Sequence, residues 1–338
     1  MAVARDGRRV MIRVWCSDVE WGDEMEPELK LNRPWLVAVW PGMGNVAISA
    51  GYFLVAKLGM HILAEFSALE LFDVEHVVVK EGLIRISRLP RSRFFVWKDP
   101  REQHDIVVFI GEAQPPKGRY AFCQRLIEFA RQLGVDRVYT FAAMATAMHP
   151  EHASRVFGAA TDSESLGELK RLELEIVEDG QIGGLNGVLI GVAAESGLRG
   201  ACLMGEMPHI FQQLPFPKAS LAVLEAFTTI VNIQLDLTEL AEQSKEVEQK
   251  LGELLEKVKE ALEQQPDEEG SDEMEALEFE PAASEEGLSV DDREHIESLF
   301  RQAIQNRSKA YELKRELDRL QLYREYEDRF LDLFKSPG

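Results

Sequence analysis

The sequence predicts an α/β protein, with a mostly parallel sheet covered by helices on both faces and a C-terminal helical extension. Three observations carry this. Short continuous apolar runs at Trp35–Trp40, Ile106–Ile110 and Val138–Ala143 have the length and composition of strands buried on both faces. Segments of helical spacing lie between them, and alternation at these lengths belongs to a parallel sheet with covering helices. From Leu237 the apolar residues change to three-four spacing, the pattern of a helix lying along a partner helix.

Taken in order, residues 1–32 read as a leader in which Arg9–Trp15 is a candidate edge strand and Gly22–Lys30 an acidic loop. Residues 33–236 form the α/β domain. It opens as a βαβ unit: the Trp35–Trp40 strand, a Pro41-Gly42-Met43-Gly44 turn, a helix over Val46–Leu58 and a strand at His61–Phe66. Val77–Lys80, Leu83–Leu89 and Phe94–Trp97 predict an antiparallel or inserted β region. After the Ile106–Ile110 strand, Tyr120–Leu133 places Phe122, Leu126, Phe129 and Ala130 on one helical face, and Gly134 stops it. Val156–Ala160 reads as a short strand, Ser163–Leu172 as a helix and Leu174–Val177 as a strand.

The glycine-dense stretch GQIGGLNGVLIGVAAESGLRGACLMGEMP, Gly180–Pro208, reads as loop, helix and strand, with the helix over Val188–Ala194 and a short buried strand at Ala201–Met204. One long helix is predicted from Pro217 to about Gln265, with heptads at Leu237, Leu240, Ser244, Val247, Leu251, Leu254, Val258 and Ala261. Residues 237–265 are therefore set apart as a heptad helix. Residues 266–290 hold ten acidic and no basic residues and read as a disordered linker. Residues 291–335 read as a C-terminal helix capped by Ser289, with an apolar stripe from Ile296 to Leu320. Its two readings are an antiparallel hairpin with the heptad helix and a pairing between chains.

Composition excludes several functions. At 338 residues, 45% hydrophobic and 29% charged, the chain can bury one large core or two ordinary ones. A net charge of −21 opposes nucleic acid, because neutralising phosphates needs clustered lysine and arginine. The long uncharged window Pro34–Ala56 is broken by Pro41, Gly42, Gly44 and Asn45, so no membrane span is expected. MAVARDGRRV has no apolar h-region, and a cytoplasmic protein is expected. Cys16, Cys123 and Cys202 lie far apart without a CxxC pair, which disfavours a zinc site or a disulfide framework and fits buried thiols in a reducing compartment, and no cofactor is expected.

Candidate binding residues fall into three groups. Gly42, Gly44 and Asn45 satisfy G-x-G-x-x-A between a strand and a helix, with Glu65 at about the place of a ribose-binding acid. Gly184, Asn186 and Gly187 open a helix whose free N–H groups can receive an anion or a partner's carbonyl. Glu112 and Glu206 each sit after an apolar strand in a G-E context, and a shared sheet edge would bring them together for acid/base work or metal binding. The plain alternatives are a tight turn, close helix-on-sheet packing and capping or solvated carboxylates. His149 and His152 flank Pro150 and read as a surface turn. No G-x-S-x-G occurs and Ser196 has no neighbouring base in sequence, so no catalytic residue is assigned.

Four motifs in order, PGMGNVA, GEAQPPKGRYAFC, FAAMATAMHPEHASRVFGAAT and GGLNGVLIGVAAESGLRGACLMGEMP, resemble the proteasome assembly chaperone 2 family in its bacterial branch, over about residues 33–235. The resemblance implies an α/β fold related to nucleoside phosphorylases, a homo-oligomer and protein partners, and it does not imply an enzyme. Eukaryotic members assist assembly of the proteasome core. Archaeal members that bind proteasomes carry a C-terminal hydrophobic-Tyr-any tail, whereas this chain ends Ser336-Pro337-Gly338. Two function classes follow: a non-catalytic assembly or interaction protein, and a nucleotide- or nucleoside-handling protein using the glycine loops.

Overall fold

A computed structural model describes residues 19–21, 30–74, 77–80, 82–263 and 289–335. Its strands are β1 (Val19–Trp21), β2 (Trp35–Val39), β3 (His61–Phe66), β4 (Val77–Lys80), β5 (Leu83–Ile86), β6 (Ser92–Trp97), β7 (Ile106–Gly111), β8 (Arg137–Thr146), β9 (Val156–Ala160), β10 (Glu175–Ile176) and β11 (Arg199–Pro208). The α-helices are α1 (Val46–Lys57), α2 (Arg119–Gln132), α3 (Ser163–Arg171), α4 (Gly184–Glu195), α5 (Pro217–Val231), α6 (Thr238–Glu263), α7 (Val290–Gln305), α8 (Ala310–Arg319) and α9 (Tyr323–Asp332). The strand expected at Arg9–Trp15 and nearly all of the acidic 266–290 segment lie outside the described residues.

Nine strands form one mixed sheet in the order β1-β3-β6-β7-β2-β8-β11-β9-β10. Its centre, β7-β2-β8-β11, is parallel. Pleating divides the core, since successive strand residues point to opposite faces. Trp35, Val37 and Val39 of β2 join Ile106 and Val108 of β7 on the face covered by α1 and α5, while Leu36, Ala38, Val107 and Phe109 face α2 and α4. The opening βαβ unit is wider than a simple crossover. β3 does not pair with β2; it is joined to it through β6 and β7, each antiparallel to its outer neighbour, so β3 still runs parallel to β2.

Three expected boundaries move. The helix predicted from Pro217 to Gln265 is two helices, because Asn232 takes a left-handed conformation (φ 55°) that ends α5, and Asp236 Oδ1 accepts from Thr238 N at the start of α6. The single helix predicted over 291–335 is three. Asn306, extended at φ −142°, stops α7 and its side chain caps the following turn at Ser308 N, and Gln321 at φ 57° separates α8 from α9. β11 runs ten residues, well past the predicted Ala201–Met204, because β8 is equally long and pairs with it from Arg199↔Arg137 to Pro208↔Thr146.

The heptad stripe closes on α5 rather than on the C-terminal helices. Leu240, Ser244 and Leu251 are buried, and Val247 and Leu254 are partly buried. Helices α8 and α9 instead lie against α1, where Tyr311 packs edge-on to Phe53 with centroids 4.9 Å apart and Phe330 packs on Tyr52, while α7 packs on α8 and Phe334, just past α9, packs on Phe95 of β6. One apolar cluster thus runs from β2 through α1 and α5 to α9. Among the described residues, no helix is long and apolar enough to cross a membrane.

Candidate functional site

The C-terminal ends of β7, β2, β8 and β11 lie at one edge of the sheet, and the sequence-predicted residues gather along it in three separate groups. The first is the turn after β2. Gly44 takes φ +60°, its N–H donates to Gln212 O at 2.8 Å and its carbonyl accepts from Phe216 N at 2.9 Å. A side chain there would meet Met207 Sδ at 2.8 Å. Gly42 and Asn45 are exposed. Glu65 does not approach this turn. It lies on β3 opposite Arg93 and faces Arg91 and Arg93 at 3.8 and 3.7 Å.

The second group is the start of α4. Gln114, which follows β7, accepts from Leu185 N at 3.0 Å and donates through Nε2 to Pro41 O at 3.2 Å. One amide thereby occupies a donor of the helix N-terminus and ties it to the first turn. Gly184 has φ +68°, and a Cβ at Gly187 would lie 2.0 Å from Ile182 O. Asn186 is buried, its backbone carbonyl accepts from Thr140 Oγ1 at 3.2 Å, and its Oδ1 has no hydrogen-bond partner among the described residues.

The third group is the pair of carboxylates, which share the edge but not a site. β2 and β8 stand between their strands, three strand spacings or about 14 Å. Glu206 lies inside β11, 2% exposed, where Arg155 Nε and Nη2 donate at 2.8 and 2.7 Å and Thr146 Oγ1 at 2.8 Å. The Arg155 hydrogen bonds hold its carboxyl below the usual range, so it is charged and fully engaged. Glu112 accepts from Arg93 Nη1 at 2.9 Å, Arg91 N at 2.9 Å and Arg88 Nη1 at 3.1 Å. Arg88 and Arg93 also pair with Glu327 of α9. The glycine before each carboxylate has a packing reason: a Cβ at Gly111 would lie 2.4 Å from Trp40 Nε1, and one at Gly205 2.5 Å from Ala219 O.

Gln114, Arg155 and Glu327 are the partners that the sequence did not single out. Arg155 and Gln114 lie in motifs already noted, but Glu327 reaches the edge from more than 200 residues away in sequence, and no local pattern marks it. Burial pushes the Cys123 and Cys202 thiols up to about 12 and about 11, which keeps both protonated and unreactive. His149 and His152 lie tilted to each other with ring centroids 5.7 Å apart in a turn, and the described residues contain no group of three metal-ligating side chains.

A different surface stands beyond this edge. β4 and β5 pair only with each other, as a two-stranded ribbon. Val77, Val78, Val79, Leu83, Ile84 and Ile86 on it are between 43% and 76% exposed.

The sequence model of the PAC2 family matches residues 36–255. MJ1210 of Methanocaldococcus jannaschii is 29% identical over 239 residues, covering 70% of this chain and 86% of its own length. Pyrococcus furiosus PbaB, described as an archaeal proteasome activator, superposes with a TM-score of 0.58 at 25% identity, over 71% of this chain and 99% of PbaB. Mycobacterium tuberculosis Rv2125, a proteasome-assembly chaperone homologue, shares the fold at a TM-score of 0.57 and 21% identity, over 65% of this chain and 94% of its own. Helices α7–α9 fall beyond the matched segment. Through residues 36–255, this chain belongs to the PAC2 family.

Proposed function

We propose that this protein is a non-catalytic assembly-chaperone-like protein that works by binding other polypeptides. The observation that carries the reading is the β4–β5 ribbon, on one face of which Val77, Val79, Ile84 and Ile86 are all exposed, an apolar surface of the kind that marks a protein interaction site. Its relatives point the same way, two of them being described as a proteasome activator and a proteasome-assembly chaperone homologue. The sheet edge supports it as well, since the Glu112 and Glu206 carboxylates are engaged by arginine and the start of α4 by Gln114. A nucleoside or phosphate would have to displace Gln114 from Leu185 N.

Native mass spectrometry of the full chain purified from its own lysate tests this, alongside a thermal-shift screen. A stoichiometric protein complex and a flat response to nucleosides, nucleotides and phosphate are expected. A ligand response with no protein complex overturns the proposal in favour of the nucleotide-handling reading, since ligand at 100 times its Kd adds about 2.7 kcal/mol of stability.

A further inference from the structure

The β4–β5 ribbon has two different faces. Val77 stands opposite Ile86 and Val79 opposite Ile84, and directly opposed residues of an antiparallel pair share a face. These four therefore make one face with no polar side chain, and they are 50%, 64%, 76% and 73% exposed for Val77, Val79, Ile86 and Ile84. The other face carries Val78 opposite Arg85. A two-stranded hairpin is marginal in water until a third strand or a covering layer is added. Among the described residues, nothing of this chain covers the aliphatic face.

Charge and shape favour one occupant. The chain carries −21, so two copies repel over most of their surface. Residues 77–86 hold Lys80 and Arg85 against Glu81, a local +1, so two copies can approach there with little of that penalty. Stacking two such faces about a two-fold axis parallel to the strands sets the valine row of one copy over the isoleucine row of the other. Small then meets large on both sides, as an isologous contact requires. A stable dimer buries about 800 Å² per partner. The four aliphatic residues supply its apolar centre.

We propose that β4–β5 is a self-association element through which the aliphatic faces of two copies of this chain stack. It rests on the interaction reading above and names the partner as the chain itself. Sedimentation velocity of the full chain over a dilution series tests it. The wild type should sediment above its 38.2 kDa monomer mass. Ile84→Asp with Ile86→Asp should weaken association at least tenfold with unchanged circular dichroism. Ile304→Asp, at a 69% exposed position on α7, should leave association intact. If the double aspartate variant loses helix signal, Ile84→Thr with Ile86→Thr keeps β-branching and should still weaken association. A monomeric wild type, or ribbon variants that associate as well as wild type, overturns the proposal. Should the ribbon variants lose a captured foreign protein while keeping self-association, this inference fails and the interaction function stands.

Discussion

Arg93 of β6 and Glu327 of α9 form an ion pair at 2.9 Å with side chains only 6% and 3% exposed. The pair joins the edge of the sheet to the last helix, and the same Nη1 reaches Glu112 at 2.9 Å. Arg93→Ala would remove the more buried of the two cations that bridge Glu112 and Glu327 and leave both carboxylates to the half-exposed Arg88, and removing one partner of a buried pair costs up to about 3–5 kcal/mol. Glu327→Gln should cost less, because Arg93 keeps Glu112 and no charge is stranded. Urea unfolding of both variants checks the order; equal losses would mean that Arg93 contributes through packing alone.

The C-terminal helices should not unfold on their own. Leu251 is 5% exposed within the same cluster as Phe227 of α5 and Phe300 of α7, so Leu251→Ala should cost about 2–5 kcal/mol in one cooperative transition. Circular dichroism reports mainly the helices, and tryptophan fluorescence, with Trp35, Trp40 and Trp97 among the five tryptophans, reports mainly the sheet. Coincident midpoints are expected. A separate early loss of helix signal would make α6–α9 an appended unit, as the heptads read alone suggest.

What was legible in the sequence follows from how local each cause is. Continuous apolar runs at Trp35 and Ile106 and the face of Phe122, Leu126 and Phe129 are local patterns, and the strands and helix they predict are present. The heptad stripe was legible too, but its partner was not, because an apolar stripe states that something covers it without saying what. α5 and α7 both offer apolar faces, and the break at Asn232 returns α6 onto α5. The glycines were visible as close approaches, whereas what approaches, Met207 at Gly44 and Ile182 O at Gly187, is set by tertiary packing. The ribbon's strands were legible as an antiparallel or inserted β region, but its exposure was not, since Val77–Val79 in sequence looks like any buried strand.

Gly187 gives a sharp test of packing against ligand cradling. A Cβ there would lie 2.0 Å from Ile182 O and 2.8 Å from Ile182 C, atoms of the backbone that cannot rotate aside. Gly187→Ala should therefore destabilise by about 1–3 kcal/mol through overpacking, while Gly191→Ala, with nothing within 4 Å, should be neutral or slightly stabilising through helix propensity. Melting temperatures of the two variants decide. If Gly187→Ala melts with wild type, the loop before α4 is free to move, and the ligand-cradle reading gains ground.

Asp162 at the start of α3 makes stability depend on acid pH with a definite sign. Burial pushes its carboxyl up, but hydrogen bonds from Ser165 N and Oγ, Thr161 Oγ1 and Glu164 N outweigh burial and hold it at about 2 against an ordinary 3.8. The folded value lies below the unfolded one, so the cap contributes fully above about pH 4 and its contribution is lost as pH falls through about 2, with roughly half gone by pH 3. Asp162→Ala should cost about 1 kcal/mol at neutral pH, and that difference should narrow steadily as the pH drops. Asp162→Asn retains an acceptor without a titrating proton, so its gap from Asp162→Ala should stay nearly constant over the same range. Urea midpoints of the three proteins at pH 7, 5, 4 and 3 give both comparisons. A wild-type advantage over Asp162→Ala as large at pH 3 as at pH 7 would show that the carboxylate's charge plays no part in holding α3 at the edge of the sheet.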